Sequence, residues 1–386
     1  MEMREAVIVG AVRTPVGKRK GVFSSIRPDD LLAEVLRKLV DKSGISSGLV
    51  EDVIIGCVSQ VEEQAINIAR SAVLMADFPI HVPGTTIDRQ CGSSQQAVHF
   101  AAQAILSGDM DIVIAGGVES MTRVPMGSNR LHSSPSEELS SRYELINQGL
   151  SAERIAEKWG FSRKQLDEFS INSHRKAIQA QDEGRFEREI IPIQVINDDG
   201  TQTVVTQDEG PRRESSIEKL ATLPTVFKEN GVIHAGNASQ MSDGAAAILI
   251  MSKEKALELG LKPRFKILSR TVVGSDPTLM LTGPIEATQM VLKKAGLTIE
   301  DMDLYEVNEA FAPVPLCWLE ELRANPEKLN VNGGAIALGH PLGASGARVM
   351  ITLMHELERR NARYGLQAIC EGAGMANATI LERIEE

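Results

Sequence analysis

The chain has 386 residues, more than one typical core holds, so length alone predicts two or three domains. Hydrophobic residues make up 42%, charged residues 24% and aromatics only 4%, with a net charge of −11. That balance is globular, and it argues against nucleic-acid partners, which need a basic footprint and aromatic platforms. No apolar run approaches a membrane span, so no membrane partner is expected. No signal peptide precedes the strand-like Ala6-Val7-Ile8-Val9, and the tail Arg383-Ile384-Glu385-Glu386 carries no targeting address; the expected location is cytoplasmic. Cys57, Cys91, Cys317 and Cys370 lie far apart without a C-x-x-C pair, which argues against zinc and against a disulfide framework.

In chain order, Ala6 to Val9 reads as a buried strand. Pro28 to Lys42 reads as an amphipathic helix with Leu31, Leu32, Val35, Leu36, Leu39 and Val40 on one face and Pro28 in an opening position. Val53 to Gly56 is a second strand, Ile66 to Met75 a second helix, and Pro83 to Ile87 a short strand. Asp88-Arg89-Gln90-Cys91-Gly92-Ser93-Ser94 follows, and then a helical pattern of Ala97, Phe100, Ala101, Ala104 and Ile105. Cys91 thus falls beside a helix N-terminus, where the dipole favours a thiolate, and a lowered thiol pKa is expected. Such a thiolate attacks carbonyl carbon; a buried, inert cysteine is the alternative. Ile112 to Gly117 is a strand closed by glycines.

The texture changes from Val118 to Asp243, which predicts an inserted domain with helices near Ala152 to Trp159 and Arg163 to Glu183 and a hairpin turn at Asn197-Asp198-Asp199-Gly200. Strand texture returns at Gly244 to Ile250. A second α/β unit begins near Pro263, with strands at Phe265 to Leu268, Leu304 to Val307, Leu366 to Cys370 and Ala378 to Leu381. Its helices are expected at Pro284 to Ala295, near Pro315 to Arg323, and at Gly346 to Arg359. The order echoes the first half, with Asp111 to Met121 matching Gln367 to Met375, and predicts an internal duplication whose helix-opening loops share one cleft.

Taken singly, His340 reads as a loop residue, Cys370 as a buried strand cysteine, and Asn308-Glu309 as a helix start. Gly372-Ala373-Gly374 imitates a dinucleotide fingerprint but has Asn377 where a third glycine belongs. Cys57 and Cys317 read as packing residues; His99 and His174 read as structural or solvent-facing.

Taken together, the blocks resemble the thiolase family over essentially the whole chain. They are the Cys91 stretch, Ala115-Gly116-Gly117-Val118-Glu119-Ser120-Met121, Ala235-Gly236-Asn237-Ala238-Ser239, Asn308-Glu309-Ala310-Phe311-Ala312, Gly339-His340-Pro341-Leu342-Gly343-Ala344-Ser345-Gly346 and Cys370-Glu371-Gly372-Ala373-Gly374. The resemblance implies a duplicated five-layered α-β-α-β-α fold with an inserted loop domain, divided as 1–118 plus 244–262, 119–243 and 263–386. It implies a homodimer or homotetramer acting on acyl-CoA and coenzyme A, with no metal and no cofactor beyond coenzyme A as substrate. Cys91 resembles the acylated nucleophile, His340 the base that takes its proton, and Cys370 the second acid/base. Asn308 resembles the holder of a water that completes one oxyanion hole with His340. The backbone N–H groups of Cys91 and Gly372 would form the other. Ser239 resembles a pantetheine contact, and Gln148, Ala310 and Phe311 line the implied substrate site. The implied reaction is thiolytic cleavage of 3-ketoacyl-CoA or the reverse Claisen condensation.

The chain departs from the family pattern at Asn147-Gln148-Gly149, where His-Met-Gly is common, at Asp88, where Asn is commoner, and at Ala373 in the last motif. These variants resemble the branch that degrades sterol side chains and other bulky substrates. A condensing ketoacyl synthase would carry a second histidine where Cys370 stands; a non-catalytic lipid-binding homologue would be expected to lose Cys91.

Overall fold

The computed structural model describes residues 4–131, 133–197 and 199–385. In chain order, the first part carries β1 (Ala6–Arg13), β2 (Gly17–Lys18), α1 (Pro28–Ser43), β3 (Asp52–Gly56), α2 (Ile68–Met75), β4 (Thr85–Ile87), α3 (Ser93–Ser107) and β5 (Ile112–Ser120). Next come α4 (Glu137–Arg142), α5 (Gln148–Trp159), α6 (Arg163–Asp182), β6 (Ile193–Ile196), β7 (Gln202–Val205) and α7 (Ile217–Ala221). The chain continues with β8 (Ser242–Ser252), α8 (Lys253–Glu258), β9 (Phe265–Gly274), α9 (Gly283–Ala295), β10 (Leu304–Val307) and α10 (Pro313–Leu322). It finishes with α11 (Ala335–Leu338), α12 (Ser345–Arg360), β11 (Tyr364–Glu371) and β12 (Met375–Arg383).

The strands run in the order β10-β11-β12-β9-β1-β8-β5-β3-β4, with β2 beside β8. Two similar halves make this up. β1 lies antiparallel to β8, β8 antiparallel to β5, and β5 parallel to β3. β9 repeats the pattern with β12, β11 and β10. β5 therefore matches β11, and the helices that precede them, α3 and α12, match each other. The halves join where β1 meets β9, through Val7 opposite Lys266 and Ile8 opposite Phe265.

Burial builds the layers. The apolar face of α1 packs with α2 on one face of the first half-sheet, among Val53, Ile55, Ile114 and Leu249. On its other face, Ile8, Val113 and Ile248 share a core with α3, α12 and with Phe265, Ile267 and Leu381 of the second half. Beyond the second half-sheet, Ala287, Val291 and Trp318 of α9 and α10 close the outer core. Helix, sheet, helix pair, sheet and helix is the five-layered arrangement expected from the sequence.

Local chemistry sets the element ends. α1 opens with Pro28 at its first turn followed by Asp29 and Asp30, and stops at Gly44 in the left-handed conformation (φ 70°). α2 starts at Ile68 rather than Ile66, because Asn67 adopts φ 57° and its side chain caps the Arg70 N–H; Ile66 is left 94% exposed. Phe100, assigned above to the apolar face of α3, is exposed instead. The buried face of α3 uses Ala97, Val98, Ala101, Ala102 and Ile105. A helix between two sheets and a partner helix has room for small side chains, and the approach is close: a Cβ at Gly346 of α12 would stand 2.2 Å from the Gln95 backbone nitrogen of α3.

The stretch between β5 and β8 is fastened to β1 by Arg13. Its guanidinium is fully buried, donates to Glu189 at 2.7 Å and takes Asp208 in a fork at 2.7 and 3.0 Å. β6 and β7 form the expected hairpin; Asp198 of its turn lies outside the described residues.

Candidate active site

Cys91 sits on the turn between β4 and α3. The residue before it, Gln90, holds the left-handed conformation (φ 47°). Asp88 supports that geometry: its carboxylate accepts the Gln90 N–H at 2.7 Å, an Asx-type turn. The acid at position 88 thus shapes the turn that presents the thiol.

Cys91 is 6% exposed and packs with Leu342, two residues beyond His340, and with Ile369, next to Cys370. Burial, then the fields of Cys370 and Glu371, push its pKa well up. This corrects the expectation of a lowered thiol. α3 begins two residues after Cys91, with Gly92 as its cap, and burial is the largest influence on the thiol. Cys370 is likewise buried, and its thiol is raised to about 12, first by burial and then by Glu371. Both sulfurs therefore rest as thiols and need a base.

His340 supplies an imidazole of defined tautomer. Its Nδ1 lies 2.6 Å from Ser345 Oγ. That hydroxyl spends its proton on the Pro341 carbonyl at 2.8 Å, so it accepts from Nδ1–H. Nε2 is thereby the acceptor nitrogen, and the Asn308 side-chain N–H donates to it at 3.4 Å. Burial, reinforced by Arg348, lowers the His340 pKa to about 3, so the ring rests neutral. Asn308 is also buried, and its Oδ1 has no hydrogen-bond partner among the described residues.

A buried carboxylate ties the His340 loop to the first half. Glu119, at the end of β5, accepts from Val58 N–H (2.9 Å), Ser59 N–H (3.0 Å), Gln64 Nε2 (2.9 Å) and Gly343 N–H (2.8 Å). The His340 N–H in turn donates to the Gln240 carbonyl at 3.1 Å. Ser239, next to Gln240, donates its N–H to Ala310 O at 2.9 Å, and Ala238 bridges to Phe311. Phe311 meets Phe227 edge-on at 5.9 Å. Gln148 opens α5, and its Nε2 would stand 3.1 Å from a Cβ on Gly372.

The singled-out residues therefore gather at one end of the inner helix pair. Cys57 and Cys317 are buried packing residues, Cys317 within the same core cluster as Cys370, Ala310 and Phe311, and His99 and His174 are buried as well. Residue-by-residue reading missed Ser345, Glu119 and Glu371. Ser345 and Glu119 stood inside quoted blocks, but their partners come from folding. A charged residue next to a cysteine on an apolar strand was a signal for Glu371. No group of three or more His, Cys, Asp or Glu among the described residues is arranged to hold a metal ion. No helix among them is long and apolar enough to cross a membrane.

Thiols, a neutral imidazole and an amide at the junction of a duplicated α/β fold define an enzyme of the thiolase type. Residues 6–254 match the family described as "Thiolase, N-terminal domain", and residues 261–383 match "Thiolase, C-terminal domain"; the chain belongs to the thiolase family. Among its relatives is a steroid 3-ketoacyl-CoA thiolase, FadA6, of Mycobacterium tuberculosis, 49% identical over 99% of this chain and 95% of that one. A 3-ketoacyl-CoA thiolase of Idiomarina loihiensis is 46% identical over 99% of this chain and all of its own length. The crystal structure of the Bacillus anthracis acetyl-CoA acetyltransferase superposes with a TM-score of 0.91 at 38% identity, covering 99% of both chains.

Proposed function

We propose that the protein cleaves 3-ketoacyl-CoA with coenzyme A to give acetyl-CoA and a shortened acyl-CoA, and runs the reverse Claisen condensation. His340 Nε2 takes the Cys91 proton as the sulfur attacks the 3-keto carbon. The bond between C2 and C3 breaks, and the departing acetyl-CoA enolate takes a proton from Cys370, leaving an acyl-Cys91 thioester. Coenzyme A then gives its thiol proton to the Cys370 thiolate and attacks the thioester. The Cys91 thiolate leaves and recovers its proton from His340, so both thiols end as they began. A water held by Asn308, together with His340, would stabilise one oxyanion, and the N–H groups of Cys91 and Gly372 the other; each such donor is worth roughly 3 kcal/mol in such a site.

The observation that carries this reading is the His340 tautomer, whose unprotonated Nε2 accepts from the Asn308 side chain. We assign Ser239, Gln148, Ala310 and Phe311 to substrate contact, and 119–243 to a covering segment between halves 1–118 plus 244–262 and 263–386. We extend the reading to assembly as a homodimer or homotetramer. Four unpaired cysteines support a reducing compartment such as the cytoplasm.

Mass spectrometry after mixing with acetyl-CoA is expected to find the acetyl group on Cys91. Cys91→Ala is expected to lose it. Cys370→Ala is expected to acylate but to form no carbon–carbon bond. An adduct on Cys57 or Cys317 instead overturns the assignment. Thiolysis rates across 3-ketoacyl-CoAs of increasing bulk then read the acyl preference.

A further inference from the structure

Glu371 ends β11, one residue beyond Cys370, and its side chain is fully buried. Oε1 occupies the space a side chain at position 92 would need: a Cβ on Gly92 would stand 1.9 Å from it. A side chain at position 92 would have to displace this carboxyl. With the Asn377 amide turned to satisfy both of its ends, Nδ2 donates to Glu371 Oε1 at 3.0 Å and Oδ1 accepts the Gln96 N–H at 3.2 Å. Oε2 is buried with no hydrogen-bond partner among the described residues. A full negative charge with an unsatisfied oxygen is strongly disfavoured at such a place; a neutral acid costs far less.

The ionisable groups facing this carboxyl come from two elements. Asp88, Arg89 and Cys91 stand on the turn before α3, and Cys370 on β11 itself. Burial dominates, and with Asp88 it overrides Arg89, pushing the Glu371 pKa up to about 9. At neutral pH the acid adds no charge beside the sulfurs. Once ionised, it opposes a thiolate on either one.

We propose that Glu371 is a positioning residue of the two-thiol site: a buried carboxyl, wedged against Gly92 and held by Asn377, that fixes the Cys91 turn to the strand of Cys370 and opposes a thiolate on Cys91 whenever it carries its charge. Its functional meaning rests on the reading of Cys91 and Cys370 given above. The test reads the Cys91 thiol directly and so is separate from that reading.

Peptide-resolved iodoacetamide labelling of Cys91 is followed across pH in the full-length protein, in Glu371→Gln and in Glu371→Leu. The labelling midpoint is expected to fall by about one pH unit in the variants, because the thiolate no longer forms beside a carboxylate. In the unaltered protein the labelling curve is expected to be stretched by the second ionisation. A midpoint that stays put in a folded variant overturns the proposal, as does a simple one-site curve in the unaltered protein, and both hold whether or not acetyl-CoA acylates Cys91. Absence of acylation overturns the function proposed above and leaves the labelling shift readable.

Discussion

The two turns that flank the reacting sulfurs each contain a residue other than glycine at positive φ: Gln90 at 47° before Cys91, and Ala373 at 66° after Gly372. The left-handed region costs such a residue roughly 1–2 kcal/mol, and strain of this kind persists where surrounding contacts enforce it. Gln90 is supported by Asp88. Ala373 is exposed, and in the family pattern glycine stands there. Ala373→Gly is therefore expected to raise unfolding stability by about 1 kcal/mol, measured as a shift of the urea midpoint at constant slope. Both departures were visible in the sequence, as Asp88 and as Ala373, but their meaning was not. A residue type does not reveal its φ, and the His340 tautomer depends on where one serine proton points. Cys91, His340 and Cys370 were legible because each lies in a block of small residues with little other reason to exist.

At the scale of elements, the inner helices decide what the site can tolerate. α12 approaches α3 so closely that Gly346 has backbone where its side chain would be, and Ala347 N–H donates to Ser94 Oγ at 2.9 Å across the gap. The same crossing sets the loop of His340 against the turn of Cys91. Gly346→Ala must push backbone from backbone. We expect a loss of about 2–3 kcal/mol in chemical denaturation, with slower acylation of Cys91 from the same displacement. Helix periodicity located α3 but misjudged its buried side, placing Phe100 inside. Period alone does not reveal that a helix packs on a neighbour through alanine, whereas α1, with one solvent face, was read correctly down to its six apolar positions.

Across the whole molecule, buried ionisable groups make stability depend on pH from both sides. His340 and His99 are lowered to about 3, and His174 and His355 to about 4, chiefly by burial. The unfolded chain binds protons that these rings refuse, so their stabilisation is complete above the ordinary histidine pKa and is lost as pH falls toward 3–4. Glu306 and Glu371 are raised to about 8 and 9, so their contribution is complete at low pH and is lost as pH rises through those values. Thermal unfolding is expected to be highest at roughly pH 6 and to decline toward both pH 4 and pH 9; a melting temperature flat across that range would contradict the burial assigned to these groups. The strand-and-helix echo announced the doubling, while the seam between β1 and β9 depends on long-range pairing that no local pattern encodes. That seam is narrow, and the cohesion of the molecule comes instead from the common core of α3 and α12. Severed after Gly260, each piece would keep its outer helices but bare an oily inner face that only its counterpart fits. The two fragments are therefore expected to act as mutual chaperones, insoluble when made separately and recovered as a soluble nicked heterodimer when made together, as size-exclusion chromatography of the co-expressed pieces would show.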